Sequence, residues 1–180
     1  MAESAQRRIV VVGAESSGKT TLARDLAGAL GGAWLPEYAR AYFAERGGTA
    51  YTLDDVIAIA RGQRAGEDDP ARWQGRAGDW LVCDTNALVC KVWAEVRFGH
   101  CPPAIESCWR PGDYLLHLLP TPDIPWEPDP LRENPHDRAD LFERYRAALR
   151  AAGARFAVVG GSRAERVATA LALLPPQAEA

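Results

Sequence analysis

The stretch "RRIVVVGAESSGKTTLARDLAGALGG", residues 7–32, decides the fold of this chain. Its β-branched run ends at Gly13 and is typical of a buried strand. From Lys19 to Leu30, apolar residues recur at helical spacing, and the glycine pair at 31–32 is a typical helix stop. A strand that turns through small residues into a helix is therefore the first unit of the predicted fold.

The turn itself, Gly13–Thr20, matches the pattern G-x-x-x-x-G-K-[ST]. Its small residues let successive backbone N–H groups point at phosphate oxygens, and the following helix directs its positive end at the same place. Lys19 is expected to bridge the β- and γ-phosphates of ATP, and the Thr20 hydroxyl is expected to bind Mg²⁺. Only two of the 21 basic residues are lysines, which makes Lys19 more informative than any arginine. The predicted ATP contacts are Gly13, Glu15, Ser16, Ser17, Gly18, Lys19, Thr20 and Thr21.

The rest of the chain alternates between short apolar runs and helical patterns. The runs "AWLP", ending at Pro36, "WLVCD", "YLLHLL" and "RFAVV" predict four further strands. A helix with Glu37, Tyr38 and Arg40 is predicted after Pro36, and other helical patterns cover 52–64, 86–98, 139–153 and 162–174. This alternation predicts an α/β fold with a mostly parallel sheet covered on both faces. Without internal repeats or a clear boundary, residues 1–180 are expected to form one domain.

Residues 120–138 interrupt this alternation. Six prolines in nineteen residues forbid a regular helix or a central strand. Long loops of this kind tend to be functional. Arg132 and Arg138 resemble the arginines of a closing lid that reach a transferring phosphoryl group. The alternative is solvent-exposed arginine in an arginine-rich chain.

Two acids follow predicted strands. Asp84 ends the third strand and Glu37 follows the second, so both are expected at the same edge of the sheet. Asp84 could support Mg²⁺. Glu37 could deprotonate an acceptor hydroxyl or could be an ordinary first-turn glutamate. Thr85 and Asn86 follow Asp84, so the adjacent glutamate with which motor-type ATPases activate water is missing, and no N-K-x-D occurs. Phosphoryl transfer to a small acceptor is therefore favoured over hydrolysis.

Composition narrows the class of protein further. The formal net charge is -3 and the sequence pI is about 5.7, which argues against nucleic-acid binding. No apolar run approaches the roughly 20 residues of a membrane span, and the N-terminus lacks the features of a signal peptide. Four cysteines fit no common zinc spacing and are expected to be reduced thiols. A cytoplasmic protein with a small-molecule substrate is expected; the sequence leaves its oligomeric state open.

Four motifs together, "GAESSGKTTLA", "PEYAR", "DTNALVCKVWAEVRFG" and "DIPWEPDPLRENPHDR", resemble the ribosylnicotinamide kinase family, the kinase part of NadR-type proteins. The resemblance covers the chain from Ile9 to the final helix. It implies a P-loop kinase with a five-stranded parallel sheet, helices on both faces and an arginine-bearing lid. It also implies transfer of the γ-phosphate of ATP to the 5′-hydroxyl of nicotinamide riboside, which gives nicotinamide mononucleotide. Because eight residues precede Ile9, the kinase is expected without the adenylyltransferase of bifunctional members.

The resemblance also implies roles for individual residues. Glu37 or Asp84 would accept the hydroxyl proton, and Trp126 would stack on the pyridinium ring or anchor a lid. The substrate contacts implied are Glu37, Tyr38, Arg40, Asp84, Asn86, Asp123 and Trp126. The lid arginines implied are Arg132 and Arg138, and those implied near the adenine are Arg163 and Arg166.

Two other functions stay open at this stage. One is a kinase for another nucleoside or for a nucleoside monophosphate, for which Arg40 could supply positive charge. The other is an ATP-binding regulatory module without a small-molecule acceptor. Apart from Trp126, the tryptophans are predicted to be packing residues: Trp34, Trp73, Trp80, Trp93 and Trp109.

Overall fold

Five parallel strands form one sheet. A computed structural model of the protein describes residues 7–72, 79–128 and 137–175. Its strands are β1 (Arg7–Val11), β2 (Ala33–Leu35), β3 (Trp80–Asp84), β4 (Leu116–Pro120) and β5 (Phe156–Val159). They lie in the order β2-β3-β1-β4-β5, and every neighbouring pair is parallel. The parallel α/β sheet predicted from the sequence is therefore confirmed.

Seven helices connect or flank these strands in the described part of the chain. They are α1 (Lys19–Ala29), α2 (Tyr38–Arg46), α3 (Leu53–Asp68), α4 (Ala87–Phe98), α5 (Pro103–Glu106), α6 (Arg138–Ala151) and α7 (Arg163–Ala172). Two short 3₁₀ turns, at Pro70–Arg72 and Pro111–Asp113, complete the regular structure.

The central strand is buried on both faces. Val10 and Val12 face a core that includes residues of α4 and α6, whereas Ile9 and Val11 face a core that includes residues of α1 and α7. A parallel strand covered on both faces needs a continuous apolar run, which is what "IVVV" supplies. A third apolar cluster joins α2, α3, α4 and α5 beside the sheet.

Side-chain caps fix where several helices begin. The Thr52 hydroxyl accepts a hydrogen bond from the Asp55 N–H, and the Asp55 carboxylate accepts one from the Thr52 N–H. Ser162 and Glu165 form the same reciprocal arrangement before α7. These capping boxes explain why the predicted starts of both helices are correct to within a residue. The predicted end of α3 at residue 64 is wrong, because the helix continues to Asp68.

The carboxyl ends of the strands bring distant parts of the sequence to one edge. The Gly-rich turn follows β1, Glu37 lies two residues after β2, and Asp84 ends β3. Residues 121–128 follow β4 without helix or strand, as their prolines predict, whereas Arg138 is already the first residue of α6. The remainder of the predicted lid, 129–136 with Arg132, lies outside the described residues. Among the described helices, none is long and apolar enough to cross a membrane.

Candidate active site

The turn after β1 is shaped by glycines that other residues could not replace without strain. Gly13 has φ +148° and Gly18 has φ +82°, and Gly18 directly precedes α1. A Cβ on Gly13 would lie 3.2 Å from Leu119 Cδ1. The Ser17 hydroxyl and the Lys19 ammonium each donate a 2.8 Å hydrogen bond to the carbonyl of Ala14. The loop is thus closed on itself and placed at the amino end of a helix, where anions are stabilised.

A cavity of about 280 Å³ lies over this loop. Most of the predicted ATP contacts meet there, together with Glu37 and Arg40 from the end of β2 and the start of α2. The segment after β4 forms the facing wall. The lining residues are Glu15, Ser16, Ser17, Gly18, Lys19, Thr20, Thr21, Glu37, Arg40, Ile124, Pro125 and Glu127. We call this space the phosphate cavity.

Thr20 and Asp84 have the chemistry that a Mg²⁺ site beside a nucleotide needs. The Thr20 hydroxyl donates a 2.6 Å hydrogen bond to Asp84 Oδ2, while the buried Oδ1 atom has no hydrogen-bond partner. Burial raises the pKa of Asp84, against the hydrogen bond from Thr20 and the charge of Lys19. An unsatisfied carboxylate oxygen next to a hydroxyl fits a hard cation, which prefers oxygen ligands.

Glu37 lies where the cavities of this edge meet. Its side chain lines the phosphate cavity and two neighbouring cavities. A carboxylate oxygen lies 3.3 Å from Arg40 Nε, one helical turn later. Glu37 is also the residue that precedes α2, yet its carboxylate does not cap the helix. It is therefore positioned for contact with ligands on either side.

The first neighbouring cavity, which we call the apolar cavity, lies between the Gly-rich loop, α4 and α6. Its charged lining residues are Glu15, Lys19 and Glu37, and the walls contributed by α4 and α6 are apolar or aromatic. Trp93 belongs to these walls, and its indole N–H donates a 2.7 Å hydrogen bond to the Tyr51 hydroxyl. The remaining apolar lining is Ala39, Val89, Val92, Val96, Leu141 and Tyr145.

The second neighbouring cavity, which we call the arginine cavity, has a volume of about 270 Å³ and lies beside β2, α2 and α3. Three guanidinium groups line it, from Arg24, Arg40 and Arg72. The guanidinium carbon of Arg24 lies 4.3 Å from the ring centroid of Trp34, another lining residue. Thr20, Glu37, Tyr38 and Asp84 also face this cavity, so it brings the two predicted acids together.

The segment after β4 is attached to the Gly-rich loop by hydrogen bonds. The backbone N–H of Glu127 donates to the Ser16 hydroxyl at 3.1 Å. Arg138 donates from α6 to the carbonyls of Ile124, at 2.8 Å, and Ser16, at 3.3 Å. In this structure Arg138 joins the two segments through their backbones, and its contact with a phosphoryl group stays a prediction.

Arg166 is buried behind the loop. It donates to the carbonyls of Ser17, at 2.6 Å, and Gly161, at 3.0 Å, and it pairs with Asp123. It lines a fourth cavity, of about 200 Å³, together with Gly18, Thr21, Leu22, Ile124, Gly161, Ser162 and Arg163. Arg166 thus holds the backbone of the loop and lines a cavity next to it that Glu37 does not line.

Several predicted substrate contacts lie elsewhere. Asn86 is buried and caps α4 by accepting a hydrogen bond from the Leu88 N–H. Asp123 pairs with Arg166 and accepts a hydrogen bond from the Gly161 N–H. Burial raises the pKa of Asp123, but the hydrogen bonds from Thr121 and Gly161 and the charge of Arg166 lower it further, so the net shift is downward. Asn86 and Asp123 are therefore left out of the proposed acceptor site. Arg163 pairs with Asp25 on the surface, and the indole nitrogen of Trp126 is buried without a hydrogen-bond partner.

Sequence reasoning missed other residues of the site. The phosphate cavity is lined by Ile124, Pro125 and Glu127. From this segment the sequence had instead predicted Trp126, as a substrate contact. Arg24 and Trp34 were missed because their contribution depends on how α1 lies against the edge strand β2. No motif marks such residues. The prediction that Trp34 only packs is incomplete for this reason.

The fold and the site together define a P-loop protein with a kinase-type fold. The chain belongs to the AAA-domain family, whose model matches residues 8–166. A search of curated proteins found no significant match.

Solved structures with this fold include two of NadR protein. One is in complex with NR (nicotinamide riboside) and the other with NAD and AMP-PNP; they are 23% and 21% identical to this chain. Both cover 94% of this chain at a TM-score of 0.71, and the chain spans about half of each, 50% and 48%. A deoxyadenosine kinase from M. mycoides has a TM-score of 0.58 at 11% identity, covering 92% of this chain and 95% of its own. The predicted P-loop kinase fold and the likeness to NadR are confirmed.

Proposed function

We propose that this protein transfers the γ-phosphoryl group of ATP to the 5′-hydroxyl of nicotinamide riboside. The observation that carries the proposal is the position of Glu37, at the junction of the phosphate cavity with the apolar cavity. An acid beside apolar and aromatic walls suits a flat, cationic ring linked to an alcohol. The NadR complex with NR supports the choice of acceptor.

In the proposed reaction the Gly-rich loop and Lys19 hold the phosphates of ATP. Thr20 and Asp84 would hold Mg²⁺, which supplies charge stabilisation for the phosphates when it is bound. The donor base would lie toward the fourth cavity, on the Arg166 side of the loop. Phosphoryl transfer depends mainly on positioning and electrostatics, so no covalent intermediate with the protein is required.

Glu37 is the proposed proton acceptor. The 5′-oxygen forms a bond to the γ-phosphorus as the bond to the β,γ-bridging oxygen breaks, ADP leaves, and the hydroxyl proton moves to Glu37. Asp84 is less suited to this role because its Oδ2 atom already accepts the Thr20 hydroxyl. The Glu37 side chain is 21% exposed at the cavity junction, which leaves it accessible to a substrate.

The arginine cavity favours a second candidate function, a nucleoside monophosphate kinase. Arg24, Arg40 and Arg72 give one cavity beside Glu37 a concentration of positive charge suited to an acceptor phosphate. A cationic riboside gains nothing from these groups, whereas an anionic acceptor does.

The test is ADP release by purified protein with Mg-ATP and a panel of acceptors. The panel contains nicotinamide riboside, its monophosphate, and common nucleosides with their monophosphates. Stimulation by nicotinamide riboside well above the acceptor-free rate is expected. Stimulation by a monophosphate alone, lost in Arg40→Ala, would establish the second candidate. No stimulation by any acceptor would favour an ATP-binding regulatory module.

A further inference from the structure

One buried amide side chain joins the two turns that carry the proposed acids. Gln63 of α3 is 2% exposed. Its Oε1 accepts a 2.8 Å hydrogen bond from the Tyr38 N–H, and its Nε2 donates a 3.3 Å hydrogen bond to the Thr85 carbonyl. Tyr38 directly follows Glu37, and Thr85 directly follows Asp84. A single side chain therefore spans the ends of β2 and β3.

On the β2 side, Gln63 accepts a hydrogen bond from a backbone N–H at the start of α2. The Tyr38 N–H is the first of α2 and has no partner within the helix, as for every helix start. The residue before a helix commonly accepts a hydrogen bond from the second or third N–H of that helix with its side chain, but Glu37 does not. Gln63 thus holds the first N–H of α2, while the Glu37 carboxylate pairs with Arg40 and lines the cavities.

On the β3 side, Gln63 holds a turn in an unusual backbone conformation. Thr85 has φ +71°, which β-branched residues rarely adopt, and it is 3% exposed. Its N–H donates a 3.0 Å hydrogen bond to the Val11 carbonyl, while its own carbonyl accepts from Gln63. Such conformations persist only where the surroundings fix them, and they cluster at functional sites.

We infer that Gln63 is a positioning residue that fixes Glu37 and Asp84 relative to each other. The inference rests on the proposed function, in which these two carboxylates serve the acceptor and Mg²⁺. The position requires an acceptor and a donor on one planar group, which a glutamine amide provides. The hydrogen bonds of Gln63 to the backbone after each acid hold the two turns without using either carboxylate.

The kinetic test uses Gln63→Met, which keeps the length of the side chain and removes both hydrogen bonds. The expected result is a fall in kcat of about 10- to 100-fold with KM for ATP within about threefold of wild type, since misplacement of reacting groups lowers the rate of the chemical step. The matched control is Ile59→Val, a mild change in the buried face of the same helix, which should keep the wild-type kcat. An unchanged kcat in Gln63→Met would overturn the inference.

Two measurements separate this inference from the proposed function because neither needs an acceptor. Amide hydrogen exchange at Tyr38 should accelerate at least tenfold in Gln63→Met and stay slow in Ile59→Val. The Mg²⁺ concentration for half-maximal ATP binding should rise several-fold, while ATP binding without Mg²⁺ stays unchanged. If wild type phosphorylates no acceptor, the proposed function fails while these readouts still decide the role of Gln63. Wild-type values for both in Gln63→Met would contradict it.

Discussion

The Thr20 hydroxyl donates a 2.6 Å hydrogen bond to Asp84 Oδ2 and so links the first turn of α1 to the end of β3. The two residues are 64 positions apart in the sequence. The other oxygen of the same carboxylate is buried without a partner. A buried, half-satisfied carboxylate is unfavourable in the nucleotide-free protein, which agrees with the proposed role of Asp84 in holding Mg²⁺.

Asp84→Asn should therefore make the nucleotide-free protein more stable and less active. The raised pKa of Asp84 means that the folded state favours the neutral form, so its contribution to stability is lost as pH rises through the folded-state pKa. An asparagine oxygen can still accept the Thr20 hydroxyl without that loss. Thermal unfolding without nucleotide should show a higher Tm than wild type at pH 7, with turnover reduced by about 100-fold or more. A lower Tm at pH 7 would contradict this account of Asp84.

Glu37→Gln should lower kcat by about 10²- to 10⁴-fold, as removal of a general base does, with little change in KM for ATP. Steady-state kinetics at two Mg²⁺ concentrations distinguish it from Asp84→Asn. Raised Mg²⁺ should recover part of the activity of Asp84→Asn and none of that of Glu37→Gln. The matched control is Glu45→Gln, an exposed position on α2. Wild-type turnover in Glu37→Gln would remove this residue from the chemistry.

Lys19→Ala should reduce turnover by orders of magnitude because it removes the cation from the β- and γ-phosphates. The chain supplies its own control, since Lys91 is the only other lysine. Lys91 of α4 pairs with Glu95 at 2.5 Å and with Glu106 of α5 at 3.3 Å, and it lines none of the cavities described above. Lys91→Ala should keep wild-type turnover. ADP release measured on both variants, with circular dichroism to confirm folding, decides the assignment of the phosphate loop. Equal rates in the two variants would refute it.

The buried acid Glu67 should make stability depend on pH. Burial raises the pKa of Glu67 from 4.5 to about 7, and the Tyr114 hydroxyl and two arginines oppose the shift only partly. The folded state thus keeps a proton that the unfolded state has released, so stability falls as pH rises from about 4.5 to about 7, by on the order of 3 kcal/mol. Glu67→Gln, whose amide oxygen can still accept from Tyr114, should abolish this decline.

Thermal unfolding of wild type and Glu67→Gln from pH 5 to pH 8 checks this prediction. The variant should exceed wild type in Tm by about 5–10 °C at pH 8 and by much less at pH 5. Asp84 is present in both proteins, so the difference between the curves isolates Glu67. Two parallel curves would show that Glu67 does not titrate in this range.

Local sequence patterns were sufficient to predict the sheet and the Gly-rich loop. The run "IVVV" is typical of a doubly buried strand, and the glycines at 13 and 18 adopt the positive φ values that the loop needs. The start of α3 could be predicted from its capping residues, because Thr52 and its partner Asp55 lie only three residues apart in the sequence. Such features depend on neighbours in the sequence, and a single sequence contains them in full.

The walls of the site depend on contacts that no local pattern records. Gln63 reaches two turns that are 25 and 22 positions away in the sequence, and nothing around it distinguishes it from a surface glutamine. Asp123 was predicted beside the acceptor because it shares a motif with Trp126, but its charge is directed at Arg166. Membership of a shared motif therefore did not predict the contacts of Asp123, because they depend on the distant, buried Arg166.

Transfer of label from γ-phosphate-labelled ATP is the most direct test of the central claim. Wild-type protein is incubated with Mg²⁺, labelled ATP and nicotinamide riboside, and the products are separated and identified by ³¹P NMR. The account predicts that the label appears in a 5′-monophosphate ester of the riboside, and that it does not do so with Lys19→Ala. Label found only in inorganic phosphate, at a rate independent of the riboside, would contradict it.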